Sequence, residues 1–470
     1  MPELKKEISL LGLLALGASG IIGTSWIYTN SKFFSLYGAG GEIFGIAIAT
    51  VFVVFIALAY AELTSIFPRA GGGVVYSYIA FNRSMAFITG WMLLGAFLAS
   101  LAFYVMASGM LLSWAFPALE QIPLYSIAGT PVYLPVFLFG FALTFLLFGV
   151  NYRGVKLSSR IQIGLFSIMI VLGLVLVIVG FARGSVHNFW PAYPSGSSPT
   201  LLTLRFMLPA LTYLTGFAMV AILAEEANLP SKRIGLLVIL SVLVAGLFYF
   251  IVLLSSAWVY PWQETAQLEK GTIDAFTSAG FPALGWSAYA ISFLGMLTSF
   301  LALFLATPRI IFSMSRAGIL PELFAKLHPK YGTPVNALWF TLILTLGLGW
   351  LGKAAIVWFL DIGGIFIGIA WIIGVLCMLE IRKKYPKIER PYRVPAHYIF
   401  AAIGIMMTAI VIIISLIPGT SLSLVWPYEY GILIVWIIIG VVIYIVTPKY
   451  RSDKEALKEL LGEYYDKIRK

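Results

Sequence analysis

The stretch Gly17-Ala18-Ser19-Gly20-Ile21-Ile22-Gly23-Thr24-Ser25 lies in the middle of the first long apolar run of this sequence. Its residues are small or hydroxylated where a membrane-crossing helix should be bulky and apolar. A helix of that composition unwinds, and the backbone groups it frees survive in lipid only where they line a cavity. Gly17, Gly20 and Gly23 also fit a helix-packing face of small residues. A second stretch decides between the two readings. Pro209-Ala210-Leu211-Thr212-Tyr213-Leu214-Thr215-Gly216-Phe217 interrupts the sixth apolar run in a comparable way. Matching breaks five spans apart point to a transporter built from inverted repeats. An odd number of spans per repeat makes the two copies point opposite ways.

The composition agrees with a membrane bundle. Of 470 residues, 60% are hydrophobic and only 11% charged, whereas a soluble domain carries about a quarter charged residues. The apolar residues come in uninterrupted blocks such as 161–181 and 432–446, and a crossing needs about 20 of them. The expected spans are 8–31, 41–66, 84–115, 131–150, 158–182, 201–226, 234–259, 284–312, 336–352, 355–381, 397–418 and 429–447. Residues 1–7 are short and charged, and no small-residue cleavage site follows them, so the first run is expected to be a retained helix.

The net charge of +11 is distributed as an orientation signal and not as a nucleic-acid surface. With twelve spans, all but Lys32, Arg183, Arg205, Lys270 and Lys353 of the 31 lysines and arginines fall on the side of the termini. The positive-inside rule then puts both termini in the cytoplasm of a multi-pass plasma-membrane protein. The tail 448–470 places Leu457, Leu460, Leu461, Tyr464 and Ile468 at helical spacing, an amphipathic helix on the cytoplasmic face.

The single cysteine, Cys377, lies in an apolar run, and His187, His328 and His397 sit in or beside polar connections, far apart. Neither a nucleophile–base pair nor a metal-ligand spacing is offered at membrane depth, which argues against an intramembrane enzyme. No repeated filter motif or ring of charges suggests a channel. A substrate sensor on a transporter scaffold is disfavoured by the lack of a long cytoplasmic domain.

Several short patterns, in order, resemble those of the amino acid–polyamine–organocation (APC) superfamily, in its amino acid permease branch. Ser19-Gly20-Ile21-Ile22-Gly23-Thr24-Ser25-Trp26-Ile27-Tyr28 is similar to the pattern of its first helix. Ala61-Glu62-Leu63, Pro68-Arg69-Ala70-Gly71-Gly72 and Tyr76-Ser77-Tyr78 resemble the end of its second. Asn151-Tyr152-Arg153-Gly154-Val155-Lys156, then Ala224-Glu225-Glu226 with Pro230-Ser231-Lys232, follow the family order. So do Arg309, Arg316-Ala317-Gly318-Ile319-Leu320-Pro321 and Gly332-Thr333-Pro334-Val335. The resemblance runs from the first through the tenth span.

The resemblance implies an all-α polytopic, leucine-transporter-like fold of about twelve transmembrane helices. Helices 1–5 (residues 1–182) and 6–10 (183–381) would be the inverted repeats, followed by helices 11 and 12 (382–447) and the tail 448–470. It implies a secondary active transporter of amino acids or closely related amines, working by alternating access as symporter or antiporter. The alternatives are a proton- or sodium-independent amino acid/polyamine exchanger and a sensor on the same fold. Small-molecule substrate and lipid bilayer are the expected partners; no nucleic acid and no cofactor are expected, sodium as a coupling ion apart. Substrate identity, coupling and oligomeric state stay open.

Candidate residues follow. Free N–H groups at Ile22, Gly23, Thr24 and Ser25, at the positive end of the resumed helix, would bind a carboxylate. The family usually has glycine where Ser25 stands. Carbonyls freed between Tyr213 and Gly216 would accept the substrate amine, with Tyr213 or Phe217 as an aromatic lid. The family often has a glutamate where Ala218 stands. Asp361, early in the tenth span, is an ionisable group inside a membrane segment and so a functional candidate. It would pair with a substrate ammonium or take a proton, or else bond to water or Lys353 near the outer surface. Thr298 and Ser299 with carbonyls near Ser19 and Ile22 offer oxygen-only ligation for a sodium ion, although hydroxyls in helices also bond back to the preceding turn. Met169 stands where some family members carry a titrating lysine. Glu62, Arg69, Glu225 and Glu226, with Arg153, Lys156, Lys232 and Arg233, are expected to form the ion pairs of an inner gate.

Overall fold

The computed structural model describes residues 3–352, 355–420 and 423–468. Lys353, Arg469 and Lys470, counted in the charge tally, lie outside them. The chain is almost entirely helical, and ten helical stretches among the described residues are long and apolar enough to cross a membrane. The first of these, 57 residues from Leu10 to Ile66, is far longer than the roughly 20 residues one crossing needs. A shorter apolar helix, Val335–Gly349, stands where the ninth span is expected.

The helices that position the site are numbered here along the chain. They are α1 (Leu10–Ile21), α2 (Trp26–Ile66), α3 (Arg83–Ala115), α4 (Val155–Arg183) and α5 (Pro199–Tyr213). Then come α6 (Ala218–Ile222), α7 (Ser231–Val259), α8 (Pro282–Arg316), α9 (Ala355–Lys384), α10 (His397–Leu416), α11 (Tyr428–Val446) and α12 (Asp453–Leu461).

Local chemistry explains where they start and bend. Ser9 caps α1 by accepting the Gly12 N–H at 3.2 Å, satisfying one of the donors a helix start leaves free. No loop separates the first two expected spans. The chain turns inside α2 at Gly38, whose φ of 74° suits only glycine at low cost. Pro209 does not end the helix it sits in; α5 runs on to Tyr213 before it breaks. Among the described residues the one pair of strands is a short hairpin, Pro123–Ile127 with Thr130–Tyr133, turning at Ala128 and Gly129, both at positive φ.

Lipid offers no hydrophobic drive to bring helices together, so close packing must do it, and small residues permit it. A Cβ added to Gly235 of α7 would lie 2.5 Å from the Ala61 carbonyl of α2. Gly246 presses on Thr50, and Gly173 of α4 on Phe248 of α7, in the same manner. α11 instead exposes Ile434, Ile438, Val442 and Ile445 along its length, an apolar face suited to lipid.

Candidate functional site

The two breaks meet at the centre of the bundle. α1 ends at Ile21 and α2 begins at Trp26, leaving Ile22–Ser25 between the two helices. α5 ends at Tyr213 and α6 begins at Ala218. Gly216, at φ 115°, is pressed against the Gly20 carbonyl, and a Cβ there would lie 2.6 Å from the Gly20 carbonyl carbon. Only glycine fits both the angle and the space.

Tyr249 of α7, fully buried, holds the first break open. Its hydroxyl donates to the Ile21 carbonyl at 2.6 Å and accepts the Gly23 N–H at 3.3 Å. Ser292 of α8 secures the next residue: its hydroxyl lies 2.8 Å from Thr24 Oγ1 and donates to the Thr24 carbonyl at 3.0 Å. Sequence reading passed over both. A tyrosine or serine in an apolar span carries no pattern that marks it, and only the fold shows the carbonyls it serves.

Between the breaks lies a cavity of about 530 Å³. Gly23, Thr24, Ser25, Tyr213, Gly216 and Asp361 all line it. Among the described residues, the Thr24 and Ser25 N–H groups have no backbone acceptor, as expected at a helix start. The Tyr213 hydroxyl bonds to Thr29 Oγ1 at 2.9 Å and forms part of the wall. The cavity reaches the surface beside Lys32, Leu36 and Val425, all exposed.

Two expected residues are elsewhere. Phe217 is fully buried, stacked on Trp371 with ring centroids 5.1 Å apart and edge-on to Tyr60 at 5.6 Å. It cannot serve as a lid, because the turn at Gly216 directs it into the packing behind the cavity. Ile22 is also fully buried and does not line the cavity. Asp361 has Glu429 of α11 beside it; Lys353 lies outside the described residues.

Below the first break, α8 crosses the chain with Gly295 against the Gly23 carbonyl. The Ser299 hydroxyl donates to the Ser19 carbonyl at 2.8 Å and reaches that of Ile22 at 3.3 Å. The Thr298 hydroxyl turns back to Gly295 O at 3.1 Å. Gln162 of α4 ties the three helices, its Nε2 donating to Ser19 Oγ and, at 3.1 Å, to the Thr298 carbonyl.

At the end of the bundle that carries the termini, the expected acidic residues are all buried and all paired. Glu226 receives a two-pronged contact from Arg309, at 2.8 and 2.9 Å, the fork geometry arginine favours. Glu225 is held by Arg316 at 2.8 Å, by Arg69 at 3.4 Å and by the Ala70 N–H at 2.9 Å. Glu62 receives Arg382 Nε at 2.7 Å, the Val394 N–H at 2.7 Å and Arg390 at 3.4 Å. The expectation is corrected in its cations: of those named, only Arg69 takes part. Among the described residues, Arg153, Lys156, Lys232 and Arg233 form no ion pair with these acids. Burial alone would raise the Glu225 carboxyl, but Arg316 and Arg69 outweigh it and hold the group below the ordinary carboxylate range.

The tail closes over this layer. Ser452 and Glu455 form a capping box at the start of α12, and Ala456, Leu460 and Leu461 are buried against the bundle. Arg69 Nε donates to the Leu460 carbonyl at 2.8 Å, Arg451 to the Arg316 carbonyl at 2.7 Å, and the Tyr78 hydroxyl to Asp453 Oδ1 at 2.9 Å. Hydrogen bonds from Lys449 and Tyr78 hold the Asp453 carboxyl below its usual range. The tail is therefore a docked element and not a loose surface helix.

Comparison with known proteins fits this architecture. The family model described as Amino acid permease matches residues 8–445. The chain is 30% identical to the branched-chain amino acid permease BcaP of Bacillus subtilis (strain 168), over 96% of this chain and 94% of that protein. It is 28% identical to the methylthioribose transporter of the same organism, over 96% and 95%. It is 25% identical to the human cationic amino acid transporter 4, over 82% of this chain and 61% of that protein.

Proposed function

Starting from the fact that the chain belongs to the amino acid permease family, we propose that it is a secondary active transporter working by alternating access around the paired breaks. It is a multi-pass membrane protein and a permease, not an enzyme. The observation that carries the reading is the contact of Gly216 with Gly20 at the floor of one cavity. In this reading the two interrupted helices act on the same small molecule, one offering amides and the other carbonyls.

In this reading the substrate carboxylate sits on the Thr24 and Ser25 N–H groups at the start of α2. The amine meets the carbonyls between Tyr213 and Gly216. The side chain falls among Phe97, Met219, Leu303 and Ile367, an apolar floor, so the substrate is an amino acid with a large apolar side chain. The termini face the cytoplasm of the plasma membrane, the cavity faces outward, and the Glu62, Glu225 and Glu226 ion pairs are the closed inner gate. Twelve crossings, with inverted repeats over 1–182 and 183–381, complete the reading.

A sodium ion would be held by oxygens alone: the Ser19 and Ile22 carbonyls with the Ser299 hydroxyl, which already converge, and the nearby Thr298 hydroxyl. That donor set suits a hard cation, whose charge would fix the first break in place.

Reconstitution into liposomes tests the proposal. Labelled leucine, lysine, methylthioribose and a polyamine are offered with sodium and proton gradients imposed separately, and with or without unlabelled substrate inside. Saturable leucine uptake supports the reading, and a requirement for inward sodium supports the oxygen site. Uptake that ignores both gradients but needs internal substrate makes the protein an exchanger. Absence of both uptake and counterflow for every compound, in monodisperse protein, overturns the transport proposal.

A further inference from the structure

The carboxyl groups of Asp361 on α9 and Glu429 on α11 lie within hydrogen-bonding reach of one another. The two helices are held together there by the rings of Trp358 and Tyr428, stacked with centroids 4.5 Å apart. The surroundings of the two acids are unequal. Glu429 is fully buried; its Oε2 accepts the Val425 N–H at 2.5 Å, and its Oε1 has no donor among the described residues. Asp361 lines the cavity and is exposed to it.

Ionised carboxylates carry only acceptor oxygens. Two of them cannot bond to each other, and a bond between them requires one proton. No cation supplies an alternative at Glu429. Lys32, on α2, acts on Asp361 from across the cavity mouth. Tyr104 of α3 and Tyr213 of α5 line the same cavity, and Tyr428 and Tyr430 flank Glu429 on its own helix. No other charged side chain among the described residues acts on the pair.

We propose that Asp361 and Glu429 form a proton-binding site in the cavity wall, sharing a single proton. The inference rests on the transport reading and extends it, giving the transporter a titrating group where helices α9 and α11 meet. The proton passes between Asp361 and the water of the cavity, and Glu429 is the buried partner that retains it. When it leaves, the wall carries two negative charges beside the seat of the substrate amine, so substrate binding and proton occupancy are linked.

Counterflow of leucine in proteoliposomes is measured from pH 5 to pH 9 for the wild type, Asp361→Asn and Glu429→Gln. The apparent affinity of the wild type is expected to follow a single-proton titration, changing by at most about tenfold per pH unit. Both variants keep a hydrogen-bonding side chain and are expected to give flat profiles. Infrared spectra of the detergent-solubilised proteins give a second readout: a protonated-carboxyl band present in the wild type is expected to weaken in Glu429→Gln. A wild-type profile that is flat, or a slope and a band that persist in both variants, overturns the proton site. Absence of counterflow in the wild type at every pH overturns the transport reading itself, a different failure.

Discussion

Gly216 and Gly20 are in van der Waals contact through their backbones, so the interruptions of two separate helices act as one structural unit. Alanine at Gly216 meets two obstacles at once, the φ of 115° and the Gly20 carbonyl. The backbone strain alone costs about 1–3 kcal/mol. Gly216→Ala is expected to lower transport by at least about tenfold, measured as leucine counterflow with monodispersity as control. Transport at the wild-type rate would show that the breaks move independently.

Tyr249 supplies the donor for Ile21 O and the acceptor for Gly23 N. Tyr249→Phe leaves the buried Ile21 carbonyl without its donor, at about 1–3 kcal/mol, and removes the acceptor of the partly buried Gly23 N–H. Substrate affinity is expected to fall about tenfold or more, with the helix content intact by circular dichroism. Binding can be followed by ligand-induced thermal stabilisation.

Arg309 and Glu226 are both fully or nearly fully buried, so neither has water to fall back on. Removing one charge leaves the other unpaired, and breaking such a pair costs about 3–5 kcal/mol. Glu226→Gln is therefore expected to lower the melting temperature in detergent markedly. Exchanging both for methionine and leucine should restore most of the loss, since the cost arises from the orphaned charge.

Acid should undock the tail. The Asp453 and Glu225 carboxyls both sit below their ordinary values in the folded protein. A lowered group stabilises fully above its unfolded value, about 4 for these acids, and the contribution is lost as pH falls through the lowered folded value. Hydrogen exchange of residues 453–468, corrected for its intrinsic pH dependence, should stay slow near neutrality and rise sharply below about pH 4. In Asp453→Asn it should already be faster at pH 7.

The breaks were legible because glycine and hydroxyl clusters violate the composition of a lipid-facing helix, and the violation occurs twice in step. The buried acids were legible for a related reason: Glu62, Glu225 and Glu226 stand out at the ends of apolar runs. Their partners did not. Arg309 and Arg316 lie 83 and 91 residues from the glutamates they bind, and Arg382 lies 320 residues from Glu62. Charged residues near a span end look alike in sequence, and only tertiary packing selects among them. Phe217 failed for the opposite reason: beyond the non-helical turn at Gly216, at φ 115°, it packs against Trp371 and Tyr60 and not into the cavity. Glu42, an ionisable group inside an expected span like Asp361, was not singled out, yet it is buried with neither carboxyl oxygen bonded among the described residues.

The docking of α12 has a practical consequence for anyone handling the protein. Within the tail segment Leu460 accepts from Arg69 and Arg451 donates to the backbone carbonyl of Arg316, and the side chains of both Arg69 and Arg316 bind Glu225. An affinity tag, fluorescent fusion or surface-coupling handle attached at the carboxyl end therefore pulls on the same layer of buried ion pairs. Rates measured with such a handle report the handle as well as the protein, whereas attachment at the exposed turn 128–129 leaves that layer untouched.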